Sequence, residues 1–175
     1  MDFLGVMVSV IYVDEKSHRA LFGLGVFAVH DEVWRQKFIR LLSSYSPPLK
    51  YHATEDRQID LGKFKEMKAQ ILETVADELL NPSVCEWRYF EKSSEKEAWK
   101  SFTDWAFQRF KPTRDKPVIV YRDAGNLRRE TTAMLSGNNR FLIQAKPKVL
   151  AAETRVDPHK IMIGIVDYLL YVGKV

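Results

Sequence analysis

The chain has 175 residues, 46% apolar and 29% charged, with a net charge of +4. This composition suits one folded domain with its own core and excludes collagen-like, disulfide-framed and wholly disordered classes. The single cysteine, Cys85, excludes an intrachain disulfide and points to a reducing, cytoplasmic setting. Met1-Asp2-Phe3-Leu4 lacks the cationic start of a secretory signal, and no apolar run reaches the roughly 18 residues of a membrane span, so no membrane partner is expected.

In chain order, residues 5–13 read as a strand ending at Asp14, and residues 20–29 as a second strand. The short polar connection 15–19 predicts a hairpin. Asp31 then caps a helix to about residue 42, with Trp34, Phe38, Leu41 and Leu42 on its apolar side. After the turn-rich 43–48 and a loop holding His52, a longer helix is expected over 59–80. Phe64, Met67, Ile71, Val75 and Leu79 recur on it at helical spacing. Its carboxylates Glu66, Glu73 and Asp77 fall mostly away from that stripe and read as a solvated face. Residues 84–90 form a strand, 94–110 a helix and 117–123 another strand. A polar, partly helical stretch over 126–136, a strand over 140–144 and a helix opened by Asp157-Pro158 complete the chain. The expected fold class is a single α/β domain. Trp87, Trp99 and Trp105 read as core, as does Cys85, and Gly23-Leu24-Gly25 lies inside a strand rather than in a phosphate-binding loop.

Three apolar segments each deliver an aspartate. Val8-Ser9-Val10-Ile11-Tyr12-Val13 leads into Asp14, Val118-Ile119-Val120-Tyr121-Arg122 into Asp123, and the last helix carries Asp167 among Ile163, Val166 and Leu170. An ionised carboxylate beside buried apolar surface is costly unless a metal, a cation or donors compensate it. Asp14 and Asp123 would otherwise cap turns, and Asp167 would otherwise pair with Arg122 or Lys160. Carboxylates converging from two strands and a helix suit a hard, oxygen-seeking ion. Between positions 109 and 160 there are twelve Lys or Arg against five Asp or Glu, an excess that suits a polyanion such as nucleic acid. Arg122, Arg128, Arg129 and Lys146 are its candidate phosphate contacts.

Tyr12-Val13-Asp14-Glu15-Lys16-Ser17 resembles the opening Asp-Glu-Ser strand of the domain-of-unknown-function family numbered 3800. The resemblance extends to His52-Ala53-Thr54, to the strand ending at Asp123, and to Ile165-Val166-Asp167-Tyr168-Leu169-Leu170, similar to the family's terminal Ala-Asp-Leu helix. Gly164 stands where the family has glutamine, Val166 where it has alanine, and His18 where a glycine commonly follows the opening motif. Arg122-Asp123-Ala124-Gly125 is also similar to the Arg-Asp-Gly of Piwi modules.

The resemblance implies a ribonuclease-H-like fold, a mixed sheet flanked by helices, and a metal-dependent nuclease in which carboxylates hold two Mg²⁺ or Mn²⁺ ions roughly 3.5–4 Å apart. Asp14, Asp123 and Asp167 would be the ligands. Glu15, Glu55 or Glu153 would be the fourth carboxylate, with His52 and Arg122 beside them as proton-transfer or substrate groups. The competing readings are an inactive nucleic-acid-binding or regulatory module on the same fold, linked to mobile elements or defence, and a protein whose partner is another protein.

Overall fold

The computed structural model describes residues 10–125, 140–150 and 155–172. Its centre is a five-stranded mixed sheet in the order β3-β2-β1-β4-β5. The strands are β1 (Val10–His18), β2 (Leu21–Val29), β3 (Cys85–Lys92), β4 (Val118–Asp123) and β5 (Phe141–Lys146). β2 pairs antiparallel with both β1 and β3, whereas β1, β4 and β5 run parallel. The helices are α1 (Glu32–Ser43), α2 (Ala53–Ile59), α3 (Leu61–Glu78), α4 (Glu95–Phe110) and α5 (Pro158–Val172).

Alternation along the strands divides the core in two. Tyr12, Phe27 and Val29 face one layer, where they meet Phe38 and Leu42 of α1, Phe64 and Ile71 of α3, and Ile163 and Val166 of α5. Ile11, Val13, Leu24, Val26, Val118 and Val120 face the other, against Ala98, Trp99, Phe102 and Ala106 of α4. Each fully buried large apolar side chain contributes about 1.5–3 kcal/mol. Trp99 and Cys85 are buried in these layers, while Trp87 and Trp105 are half-buried at their margins.

Two expected boundaries move. The first strand does not stop before Asp14 but continues to His18, because β2 pairs with it along its whole length, from Val10↔Val29 to His18↔Leu21. Only Arg19 and Ala20 remain for the turn, and Arg19 takes the left-handed conformation there, with φ 55°. The long helix expected over 59–80 begins at Leu61 as α3, and a separate short helix, α2, precedes it where a loop was expected. Asp60 ends α2 and caps α3, its side chain accepting from the Lys63 N–H at 3.0 Å. His52, expected in a loop, caps α2.

The other elements lie close to expectation. Asp31 and Ser94 cap α1 and α4, and Asp157 accepts the His159 N–H at 2.8 Å at the start of α5. Glu66, Glu73 and Asp77 are exposed on α3. Residues 5–9, the polar stretch over 126–136 with Arg128 and Arg129, and Glu153 lie outside the described residues. No helix among the described residues is long and apolar enough to cross a membrane.

Candidate functional site

Asp14 and Asp123 reach the same place through register. The parallel pairing of β1 with β4 ends at Tyr12↔Tyr121, and each aspartate stands two residues beyond its tyrosine. Two residues along a strand return to the same face, so both carboxylates lie on the α5 side at the carboxyl ends of paired parallel strands. Crevices at such strand ends are where open α/β sheets take ligands. Tyr12 and Tyr121 stack beneath them, with ring centroids 5.6 Å apart.

Asp167 comes from the middle of α5 and is held by the chain segment that opens α2. The Ala53 N–H donates to Asp167 Oδ2 at 2.7 Å. Gly164 makes this contact available, since a Cβ there would lie 2.5 Å from Tyr51 Cβ and 2.6 Å from its carbonyl oxygen. Tyr51 itself is left-handed, with φ 58°. Buried Asp56 braces the same segment, accepting from the backbone N–H groups of Lys50 at 2.6 Å and His52 at 3.0 Å and from the Tyr168 hydroxyl at 2.6 Å. Burial pushes the Asp56 carboxyl above its ordinary range.

The three aspartates differ in what compensates them. Asp123 receives the ammonium of Lys160, Nζ to Oδ1 at 2.5 Å, and Lys160 is 3% exposed. Asp14 accepts the Glu15 backbone N–H at 2.9 Å. Burial pushes the Asp14 carboxyl well up, and the charges of Asp167 and then Asp123 push it further, with a side-chain hydrogen bond to Asp167 adding to the rise. Asp14 therefore holds its proton to higher pH than an ordinary carboxyl does.

Neighbouring Glu15 turns to the opposite face of the sheet, as alternation requires. Its Oε1 makes no hydrogen bond and stands 3.6 Å from Arg122 Nη2. Burial raises its carboxyl, an effect opposed by Arg122. A small cavity of about 120 Å³ at the strand ends is lined by Asp14, Glu15, Arg122, Asp123 and Gly125. His52 Nδ1 accepts the Glu55 N–H at 3.4 Å as the cap of α2, and its ring borders a second cavity with Thr54 and Asp167. Glu55 is half-buried on α2. Lys146 is committed to Asp157 at 3.0 Å and lies 5.6 Å over the Tyr121 ring.

Sequence reading missed a polar chain beneath the carboxylates. Arg35 Nη1 donates to the Tyr12 hydroxyl at 3.0 Å, so that hydroxyl is left to donate to His159 Nδ1 at 2.9 Å. His159 stacks on Tyr121, centroids 3.8 Å apart, and burial followed by the Arg35 charge holds it neutral to lower pH than usual. No local signal joins residues 147 positions apart. Lys160 was legible only as a partner for Asp167, two helical turns away, and it instead crosses to β4.

No family model matches the chain, and no curated protein does.

A hard cation suits this donor set chemically, because every side-chain donor is a carboxylate oxygen and the Asp14–Asp167 pair brings two of them together at a buried place. As placed, no three His, Cys, Asp or Glu side chains among the described residues stand together as a metal cage.

Proposed function

We propose that this chain is a metal-dependent phosphodiesterase of nucleic acid, built on a ribonuclease-H-like domain and related to the family numbered 3800. One observation carries the reading: Asp14 and Asp167, delivered by a central strand and the last helix, form a close carboxylate pair whose charges, added to burial, push the Asp14 carboxyl up to about 8. Asp14 and Asp167 would hold Mg²⁺ or Mn²⁺, with Asp123 beside them under the control of Lys160. The bound ion would polarise the phosphodiester and acidify a water at neutral pH. Arg122 would hold Glu15 at the rim of the strand-end cavity, and the Ala53 N–H would keep Asp167 oriented toward Asp14. The basic excess between positions 109 and 160 would bring the polyanion to this edge.

A second reading is favoured by one specific contact. Lys160 already neutralises Asp123, which suits a nucleic-acid-binding module whose carboxylates have become structural. Titration calorimetry with Mn²⁺ separates the two. The nuclease reading expects binding in the millimolar range or tighter, lost in Asp14→Asn and in Asp167→Asn, together with Mn²⁺-dependent cleavage of an oligonucleotide. Nucleic-acid binding without any Mn²⁺ heat would leave the module reading standing alone.

A further inference from the structure

Beside the carboxylates the sheet carries two aromatic rings that two glycines allow to lie against it. Asp14, Gly25 and Tyr89 are register partners in one row across β1, β2 and β3. Strands are about 4.8 Å apart, so the Tyr89 backbone stands roughly 10 Å from that of Asp14 on the same face. Tyr89 leans along its strand over Gly23, where a Cβ would lie 2.1 Å from its hydroxyl oxygen. Trp87 leans likewise over Gly25, where a Cβ would lie 2.9 Å from both Trp87 Cη2 and Leu170 Cδ2. This is the physical use of Gly23-Leu24-Gly25: side chains at 23 and 25 would lift both rings off the sheet.

The rings line a cavity of about 250 Å³ with Lys16, Glu91 and Leu169. It adjoins the cavity of about 230 Å³ lined by His52, Thr54 and Asp167, since Lys16 and Leu170 line both. Tyr89 is 41% exposed, and its hydroxyl donates to Glu91 Oε2 at 3.0 Å, which fixes the ring and keeps that carboxylate on the outer strand. An exposed, fixed aromatic face beside the cavity that Asp167 lines suits a base more than a phosphate.

We infer that Tyr89 and Trp87 form a stacking platform for an unpaired base, so that the strand reaching the carboxylates is single-stranded there. This rests on the nuclease reading and adds the substrate's form to it. A paired base has both faces covered by its neighbours, whereas an unpaired one has a face to offer an aromatic ring.

Fluorescence anisotropy in EDTA, which prevents cleavage, tests it with two labelled eight-nucleotide probes, oligothymidylate and its abasic counterpart with the same phosphates. The wild type should bind oligothymidylate roughly tenfold more tightly than the abasic strand. Tyr89→Ala should bring that ratio close to one without weakening abasic binding, and Tyr89→Phe should keep it. Gly23→Ala, which displaces the ring without altering it, should lower the ratio with Tyr89 still present. A wild-type ratio of one, or a ratio untouched by Tyr89→Ala, would overturn the platform and leave the nuclease reading intact if Mn²⁺ still binds. Binding of neither probe, with no Mn²⁺ heat, would overturn both.

Discussion

Asp14 is held between two other carboxylates, and its protonation links the site to stability. The folded-state value is raised from 3.8 to about 8, first by burial and then by Asp167 and Asp123. The folded protein thus binds this proton more tightly than the unfolded chain does. The contribution is complete below the unfolded value and is lost as pH rises through the folded one. In metal-free protein, stability should therefore fall from about pH 4 to about pH 8 more steeply in wild type than in Asp14→Asn. Urea unfolding of both proteins across that range checks the difference, and parallel pH profiles would count against the carboxylate pair. Lys160 sits on the other side of the same balance. Lys160→Met leaves Asp123, whose side chain is 27% exposed, without its ammonium. The cost should be about 3 kcal/mol, the lower end for breaking a buried pair, because Asp123 retains some water. Adding Asp123→Asn to Lys160→Met should recover part of it in denaturant titration.

At the scale of elements, the site depends on how closely α5 approaches the segment leading into α2. Gly164 is the contact point, with Tyr51 backbone and side-chain atoms where a Cβ would go. Gly164→Val should destabilise the fold by about 2 kcal/mol or more through overpacking, and it should also release the Ala53 N–H from Asp167. Calorimetric melting measures the first effect, and exchange of the Ala53 amide by NMR measures the second. Protection unchanged in the variant would mean the segment is held by Asp56 alone. Asp60 performs a different service, since one side chain closes α3 at its start where α2 has just ended. Asp60→Ala should cost about 1 kcal/mol, the usual loss of a cap, without moving the carboxylates.

Across the whole molecule, charge and metal act together. If Mn²⁺ binds the folded chain alone, a concentration a hundredfold above its dissociation constant adds about 2.7 kcal/mol. For a chain of this size that is a rise of several degrees in Tm, read by differential scanning calorimetry. Arg128 and Arg129 belong to the basic excess between positions 109 and 160. Neutralising both should lower the slope of log affinity against log salt for a mixed-sequence oligonucleotide by about two, roughly one per lost cation. An unchanged slope would assign these arginines to solubility.

The elements themselves were legible because their signals are local. The apolar runs of β1, β2 and β4, the stripe Phe64-Met67-Ile71-Val75, and the caps Asp31 and Asp157 each rest on residues a few positions apart. Asp14, Asp123 and Asp167 stood out in the sequence for a similar reason, since each is a charge in an apolar segment. Where β1 ends was not legible, because pairing with β2 outweighs the polar composition of residues 14–18. Nor was the partner of each charge. Lys160 crosses to Asp123, Glu15 turns away to Arg122, Lys146 goes to Asp157, and Asp167 takes a backbone N–H from Ala53. Residue types and spacing determine which side chains must find compensation. Sheet order, strand register and the close approach at Gly164 determine where each finds it, because ion pairs and hydrogen bonds act over a few ångströms between residues far apart in the chain.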